Sequence, residues 1–416
     1  MTIAGADSFR VRALQLEELA MNVLLVGVGG VGEAIAVTAN TRPWLDRMVL
    51  ADYDHSRAVR VQARLGDKQK FPVEHLDAKD VNQVVQIVRN YEIDLVMNAV
   101  NVDYVPPLFE AAYHCGCTYM DMAMNGLGAE MGADEFAQHQ KWVAKGSLAI
   151  RGTGADPGMS DVFARYASDV LFDEIDEIGV RDGANLVIEG VPFASTFSIS
   201  DTLEECTVPP IVFEAGKGIF TVEPFSEPET FVFPEGIGPL ECVHVEHEEV
   251  VLIPRWIKAR RVSFKYALDK DFIQVMRTLA MLGLHSKEPV DVKGVMVAPA
   301  DVVAACLPAP AELGDRMSGK TCVGTWVKGT KDGDPRQVYL YQSTDHAFSM
   351  EKCGCQAVSW QTGVNPVIVM ELLAEGKWQG VGVLACEAFD ARPYLEKMAS
   401  FDLPYGMLEL GSEKKT

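Results

Sequence analysis

Residues Met21–Val26 form an apolar run that leads directly into Gly27-Val28-Gly29-Gly30-Val31-Gly32, and this junction constrains the chain more than any other feature. The spacing is GxGxxG, set between a strand and a helix start built of small residues. Gly27 permits the tight turn, Gly29 leaves the backbone open to a pyrophosphate, and Gly32 lets the helix pack closely on the strand. The phosphates would rest on the unpaired N–H groups at the positive end of that helix. A second apolar run, Arg47–Asp52, ends in an acid 20 positions after Gly32. A carboxylate there accepts hydrogen bonds from the adenosine ribose hydroxyls and repels a 2′-phosphate. Asp52, with Tyr53 beside it, therefore points to NAD. NADP stays open, because Arg57 lies close enough in sequence to meet a phosphate.

The rest of the chain must cover that crevice. Its 416 residues suffice for two domains with a large core, and an apolar content of 48% suits a globular fold. A net charge of −22 speaks against nucleic acid and against an acidic membrane surface, while it favours a cationic ligand. No apolar run reaches membrane-spanning length, and residues 1–20 lack the apolar stretch of a secretory signal. Nine cysteines without a metal-like spacing fit a reducing compartment, so the expected location is cytoplasmic.

After Asp52, helical and strand-like patterns alternate. Residues 79–90 place apolar side chains at helical spacing, and Ile93–Asn98 reads as a buried strand. Its tail, Asn98-Ala99-Val100-Asn101, falls at the carboxyl edge of a parallel sheet, the usual ligand crevice. A helix opens at Pro106-Pro107, a short strand covers Thr118–Asp121, an amphipathic helix covers 133–145, and Leu148–Ile150 is a further strand. This is the doubly wound α/β pattern of a Rossmann domain with a parallel sheet. Beyond it the style changes to strands and Pro/Gly-rich loops, as in a second α/β domain with a mixed sheet. Two strands, Cys322–Val327 and Gln337–Tyr341, flank a turn-rich connection at Lys328–Gly333. The predicted division is an N-terminal extension at 1–20, a nucleotide domain at 21–155, a substrate and dimerisation domain at 156–355, and a segment at 356–416 that returns to the nucleotide domain.

No GxSxG occurs, which leaves nucleophilic hydrolase chemistry unsupported. The stretch His244-Val-Glu246-His247-Glu248-Glu249 gathers two histidines and three acids, but its spacing matches neither HExxH nor a helical ligand set. No metal is expected. His247 and Glu248 are candidates for binding an amine or moving a proton. Asp121 ends a sheet strand, so topology brings it to the crevice, where a carboxylate can pair with a cationic nitrogen. Asp156 and Pro157 lie between the domains, beside the expected nicotinamide end. Tyr339, Tyr341 and Asp345-His346 either reach the cleft or occupy the exposed face of a hairpin.

Taken in order, these pieces resemble the saccharopine dehydrogenase-like family. The resemblance rests on Gly154–Gly158, Leu171–Asp176, Phe193–Phe197 with Glu204, His247–Val250, Leu307–Pro310, and most specifically the run from Gly319–Trp326 through Thr362–Val364. It spans residues 21 to 405, nearest to the carboxynorspermidine dehydrogenase branch. It implies hydride transfer between a nicotinamide cofactor and a C–N bond. In that branch a diamine and aspartate semialdehyde condense to an imine, which is reduced to a carboxylated polyamine. It also implies an α/β domain that covers the active site and often mediates dimerisation, so a homodimer or higher homo-oligomer is expected. Ala51-Asp52-Tyr53-Asp54 departs from the small residue and Ser-Arg of members using NADPH, and is similar to the NAD-linked lysine 6-dehydrogenase branch, as is Gly236–Glu241. The leading expectation is thus imine reduction on a small cationic amine, with NAD-dependent lysine oxidation as the alternative and a non-catalytic NAD-binding protein as an option of another class. Asp121, Glu248 and His247 are the expected amine-binding and proton-handling groups.

Overall fold

The computed structural model describes residues 20–411, so nearly all of the predicted extension at 1–20 lies outside the described residues. Six strands follow one another through the first part of the chain: β1 (Met21–Val26), β2 (Leu45–Asp52), β3 (Val73–His75), β4 (Leu95–Asn98), β5 (Thr118–Met120) and β6 (Leu148–Arg151). With Gly382–Ala385 they form a seven-stranded sheet in the order Gly382–Ala385, β6, β5, β4, β1, β2, β3. Every pairing in it is parallel. Val23 to Val26 are all buried, as a parallel strand covered by helices on both faces requires. The order of travel reverses between β1 and β4, which makes the crevice at their carboxyl ends the switch point where ligands bind. The helix α1 (Gly30–Asn40) rises from that crevice and packs on the helix Ala357–Ala374. The contact is close: a Cβ on Gly363 would stand 2.8 Å from that of Ala34.

The second sheet has nine strands. At its centre β7 (Glu174–Ala184) pairs in parallel with Arg261–Ala267 and antiparallel with Lys320–Lys331. Lys320–Lys331 and Asp334–Asp345 form a long hairpin closed by Asp332-Gly333, whose φ angles are 54° and 85°. Left-handed backbone at an Asp-Gly pair is the hairpin turn whose twist matches that of the strands. The strands therefore run further, and the turn is tighter, than the connection expected at Lys328–Gly333. This hairpin carries Tyr339 and Tyr341 away from the cleft, where their hydroxyls donate to the Arg181 carbonyl at 3.0 Å and to Glu235 at 3.2 Å. Asp345 caps the helix His346–Cys353, and His346 Nε2 lies 2.8 Å from the Gly314 carbonyl.

Two expectations are corrected here. The helix predicted at 133–145 is broken at Gln138 into Ala133–Ala137 and His139–Lys145. The segment 356–416 does not return wholly to the nucleotide domain. Its helix and Gly382–Ala385 do so, but Tyr405–Glu409 pairs with Asp334–Asp345 and covers the free edge of the second sheet. One continuous apolar core, which includes Met159, Val162 and Phe163 of the helix Met159–Tyr166, links both sheets. No helix among the described residues is long and apolar enough to cross a membrane.

Candidate active site

The carboxyl ends of β1 and β4 open into a cavity of about 1080 Å³ that continues under the second sheet. Ligand pockets commonly measure roughly 300–1,000 Å³, so there is room for a dinucleotide and a substrate together. Gly29, Gly30 and Val31 line one end, with Asn98 to Asn101 beside them and Asp156 and Pro157 further in.

The nucleotide half is made by backbone geometry. Gly27 has φ of 93°, and a Cβ there would stand 2.5 Å from the Ala99 carbonyl oxygen. A Cβ on Gly32 would meet the Gly27 carbonyl at 2.0 Å, so the turn exists only with both glycines. A Cβ on Gly29 would meet nothing within 4 Å, which leaves that side open to an incoming phosphate. These residues fit a dinucleotide pyrophosphate at the start of α1. Val28 supplies the backbone link to the acid that follows: its N–H donates to Asp52 Oδ2 at 2.7 Å, while Oδ1 accepts from the Asp54 N–H at 2.8 Å. Asp52 is thus fixed beneath the loop rather than on the cavity wall. Tyr53 is 73% exposed and stands against His75, also outside the lining. Asp54, Arg57 and Arg60 line that end instead, with Arg57 paired to Asp54 at 3.5 Å. Asn98 is buried and donates to Tyr119, while Asn101 reaches across the cleft to Asp201 on the helix Ile199–Thr207.

The other half is a wall of carboxyls. The strand Gly238–His244 runs out into Val245-Glu246-His247 and turns at Glu248 into the helix Glu249–Trp256, which places the successive acids around one imidazole. His247 stacks on Phe264 with ring centroids 3.8 Å apart. Its Nδ1 lies 2.5 Å from Glu249 Oε2 and 3.4 Å from Glu248 Oε2. Three further acids converge from distant elements: Asp156 before the helix Met159–Tyr166, Asp182 on β7, and Glu205 on Ile199–Thr207. Asp182 sits opposite Tyr266 in the parallel pairing and shares a hydrogen bond with Asp156.

The electrostatics follow from this crowding. Burial pushes Asp182 up to about 7 against the pull of His247, and it pushes Glu246 up to about 7 against the Gly128 N–H that Glu246 accepts. Burial, with the Asp182 charge, holds Asp156 well above the usual carboxylate range. Glu205 is raised likewise, by burial first, and burial also raises Glu248. Burial opposes the charge on His247, but Glu249, Glu248 and Asp156 outweigh it and keep the imidazolium well above its ordinary range. Among the described residues lining the cavity, the only Lys or Arg are Arg57 and Arg60, both at the nucleotide end. Beyond the nucleotide end, the described lining offers a ligand several carboxyls around one imidazolium and no Lys or Arg.

Asp121 requires a correction. It lies at the crevice as expected, but its carboxylate is buried and committed, with Oδ2 2.5 Å from Arg151 Nε and Oδ1 accepting from the Gly152 N–H at 2.9 Å. This ion pair joins the residue after β5 to the end of β6 and braces the floor, so the Asp121 carboxylate is engaged by Arg151 and the Gly152 N–H. Asp121, Glu248 and His247 all line the cavity. Sequence reading passed over Asp182 and Glu205. The one local signal for Asp182 is the charged Arg181-Asp182 pair that follows the small and apolar stretch Ile178-Gly179-Val180.

Comparison with known proteins agrees with this layout. The saccharopine dehydrogenase NADP binding domain matches residues 23–150, and the saccharopine dehydrogenase C-terminal domain matches residues 154–402. The chain belongs to the saccharopine dehydrogenase family. As a member of that family it is a nicotinamide-dependent oxidoreductase. It is 30% identical to the carboxynorspermidine synthase of Vibrio cholerae serotype O1 over 410 residues, covering 94% of this chain and 97% of the relative. It is 29% identical to the carboxyaminopropylagmatine dehydrogenase of Synechocystis sp., covering 92% and 96%. Among solved structures, the apo saccharopine dehydrogenase (L-Glu forming) of Saccharomyces cerevisiae shares the fold, with a TM-score of 0.70 at 13% identity over 94% of this chain and all of that one.

Proposed function

We propose that this enzyme reduces the imine formed between a cationic amine and an amino-acid aldehyde, as in carboxynorspermidine formation, with NAD as its preferred cofactor. The observation that carries the reading is the carboxyl half of the cavity, where Asp156, Asp182, Glu205, Glu246 and Glu248 surround His247 and, among the described residues, the lining Arg57 and Arg60 stand only at the nucleotide end. A carboxylated polyamine carries three nitrogens against one carboxylate, whereas lysine carries two. The excess of acid favours the former over lysine oxidation. The names of the two relatives point the same way.

The bound cofactor supplies the hydride; the chain supplies position and a proton. Gly29 and Gly30 seat the pyrophosphate, and Asp54, with Asp52 beneath the loop, sets negative charge beside Arg57 and Arg60 at the ribose end. Asp182, Glu205 and Glu246 hold ammonium groups of the amine. His247, with Nε2 free of protein hydrogen bonds among the described residues, protonates the imine nitrogen as its carbon accepts hydride. We place the enzyme in the cytoplasm as a homodimer, with domains divided near residue 155. The deciding experiment follows reduced-nicotinamide absorbance with NAD and NADP pairs, offering a short diamine plus aspartate semialdehyde in one direction and lysine in the other. Oxidation of the reduced cofactor by diamine plus aldehyde supports the proposal. Turnover of lysine alone replaces it.

A further inference from the structure

His247 is held from the side away from the cavity. Glu249 Oε2 lies 2.5 Å from its Nδ1, and Glu249 Oε1 accepts a hydrogen bond from Ser160 Oγ at 2.9 Å. Glu249 and Ser160 are both fully buried, and Glu249 does not line the cavity, so it touches no ligand. Each stands in the first turn of its helix, Glu249–Trp256 and Met159–Tyr166, where negative charge on Glu249 meets the positive ends of both. Ser160 is itself pinned: its N–H donates to the Ala155 carbonyl at 2.9 Å, and its carbonyl accepts from Thr325 Oγ1 at 2.6 Å. With Phe264 stacked on the ring, the imidazole has one orientation.

We infer that Glu249, held by Ser160, is the positioning residue of the reaction, fixing His247 so that Nε2–H rather than Nδ1–H meets the substrate nitrogen. The inference rests on the imine-reduction reading above. In that reduction the imine carbon gains a hydride and the C=N π bond breaks. The nitrogen takes the Nε2 proton, and the neutral imidazole is reprotonated from solvent. The same arrangement, a carboxylate behind a histidine, fixes tautomer and orientation wherever a histidine must present one nitrogen. The charges facing the ring come from Glu246, Glu248 and Glu249 along its own segment, and from Asp156, Asp182 and Glu205 on three others. Of these, Glu249 is the one hydrogen-bonded to the ring.

The test titrates His247 by NMR in the ligand-free full chain, with His247→Gln identifying its signal, and measures the pH profile of reductive kcat. Glu249→Gln is expected to lower the His247 midpoint and to move the alkaline fall of kcat to lower pH. It should reduce kcat on the order of 100-fold, the range of a lost general acid, with the amine KM nearly unchanged. Ser160→Ala should shift both readouts in the same direction by less. An unchanged midpoint and an unchanged alkaline limb in folded variants would overturn the inference. If Glu249→Gln does not fold, Ser160→Ala decides by the same two readouts. The titration needs no substrate, which keeps the two readings separable. A shifted midpoint in an enzyme inactive on diamine and aldehyde sinks the substrate reading alone, and an unshifted midpoint in an active enzyme sinks the positioning role alone.

Discussion

The two halves of one cavity are built on opposite plans. The nucleotide half is backbone: Gly27, Gly29 and Gly32 are there for what they lack, and the binding groups are peptide N–H donors at the start of α1. The amine half is side chain: carboxyls from four separate elements crowd one imidazole. A backbone site tolerates almost no change in shape but carries little charge of its own. A carboxyl cluster tolerates change in shape, yet each member alters the protonation of the others. Substitutions in the first half should therefore act through structure, and those in the second through charge and pH.

The largest effect falls on the brace beneath both halves. Asp121→Ala leaves the buried Arg151 with Glu135, at 3.2 Å, as its remaining carboxylate among the described residues. Urea unfolding should show a loss of about 3–5 kcal/mol, as for other broken buried pairs. A loss of amine affinity with unchanged stability would instead return Asp121 to the amine site. Gly32→Val comes next. Its side chain must enter space 2.0 Å from the Gly27 carbonyl, so dinucleotide affinity by calorimetry should fall about 100-fold, or roughly 3 kcal/mol. Glu205→Gln should raise the amine KM by about 10-fold, one charged contact, while cofactor affinity stays level. If cofactor affinity fell with it, the two halves would not be separable. Asp52→Ala should narrow the preference for NAD over NADP severalfold, read as the ratio of kcat/KM values, by removing the carboxylate under the loop.

One pH dependence belongs to the carboxyl half alone. Asp182 and Glu246 titrate at about 7 in the folded protein, above their ordinary values of 3.8 and 4.5. Folding therefore retains protons that the unfolded chain releases, and stability is lost as pH rises from the ordinary carboxylate range to about 7. Thermal denaturation of the ligand-free protein should show this decline, and a diamine should reverse it near pH 7 by pairing with the ionised acids. Over the same window the amine KM should fall as pH rises, because the carboxylates form while the amine keeps its proton. A flat profile would mean that the cluster does not meet the amine.

The halves also differ in how far sequence discloses them. Strand, glycine turn and helix occupy residues 21–40 without interruption, so spacing alone gives the loop, and Asn98 to Asn101 follow once the sheet is read as doubly wound. The amine half draws on Asp156, Asp182, Glu205 and Glu246–Glu248, and only the first and last show as clusters in the chain. Alternation along β7 turns Arg181 toward Glu229 and its neighbour Asp182 toward the cavity. On the helix Ile199–Thr207, Glu204 and Glu205 both line the cavity, but Glu204 pairs with Lys287 while Glu205 is buried beside His247. Asp121 misled for the mirror reason. Its place at a strand end marks the crevice correctly, but its partner Arg151 comes from the end of the adjacent strand, 30 residues on.

By itself the sequence determined the nucleotide fold, since the clash of a Cβ with the next turn of backbone is local and reads directly from the spacing of glycines. The tertiary structure alone decided which acids gather around His247, which acid braces the floor, and which nitrogen of His247 is without a protein hydrogen bond among the described residues. A carboxyl group's role depends on what stands across from it, and those neighbours arrive from strands and helices that only the packed sheets bring together.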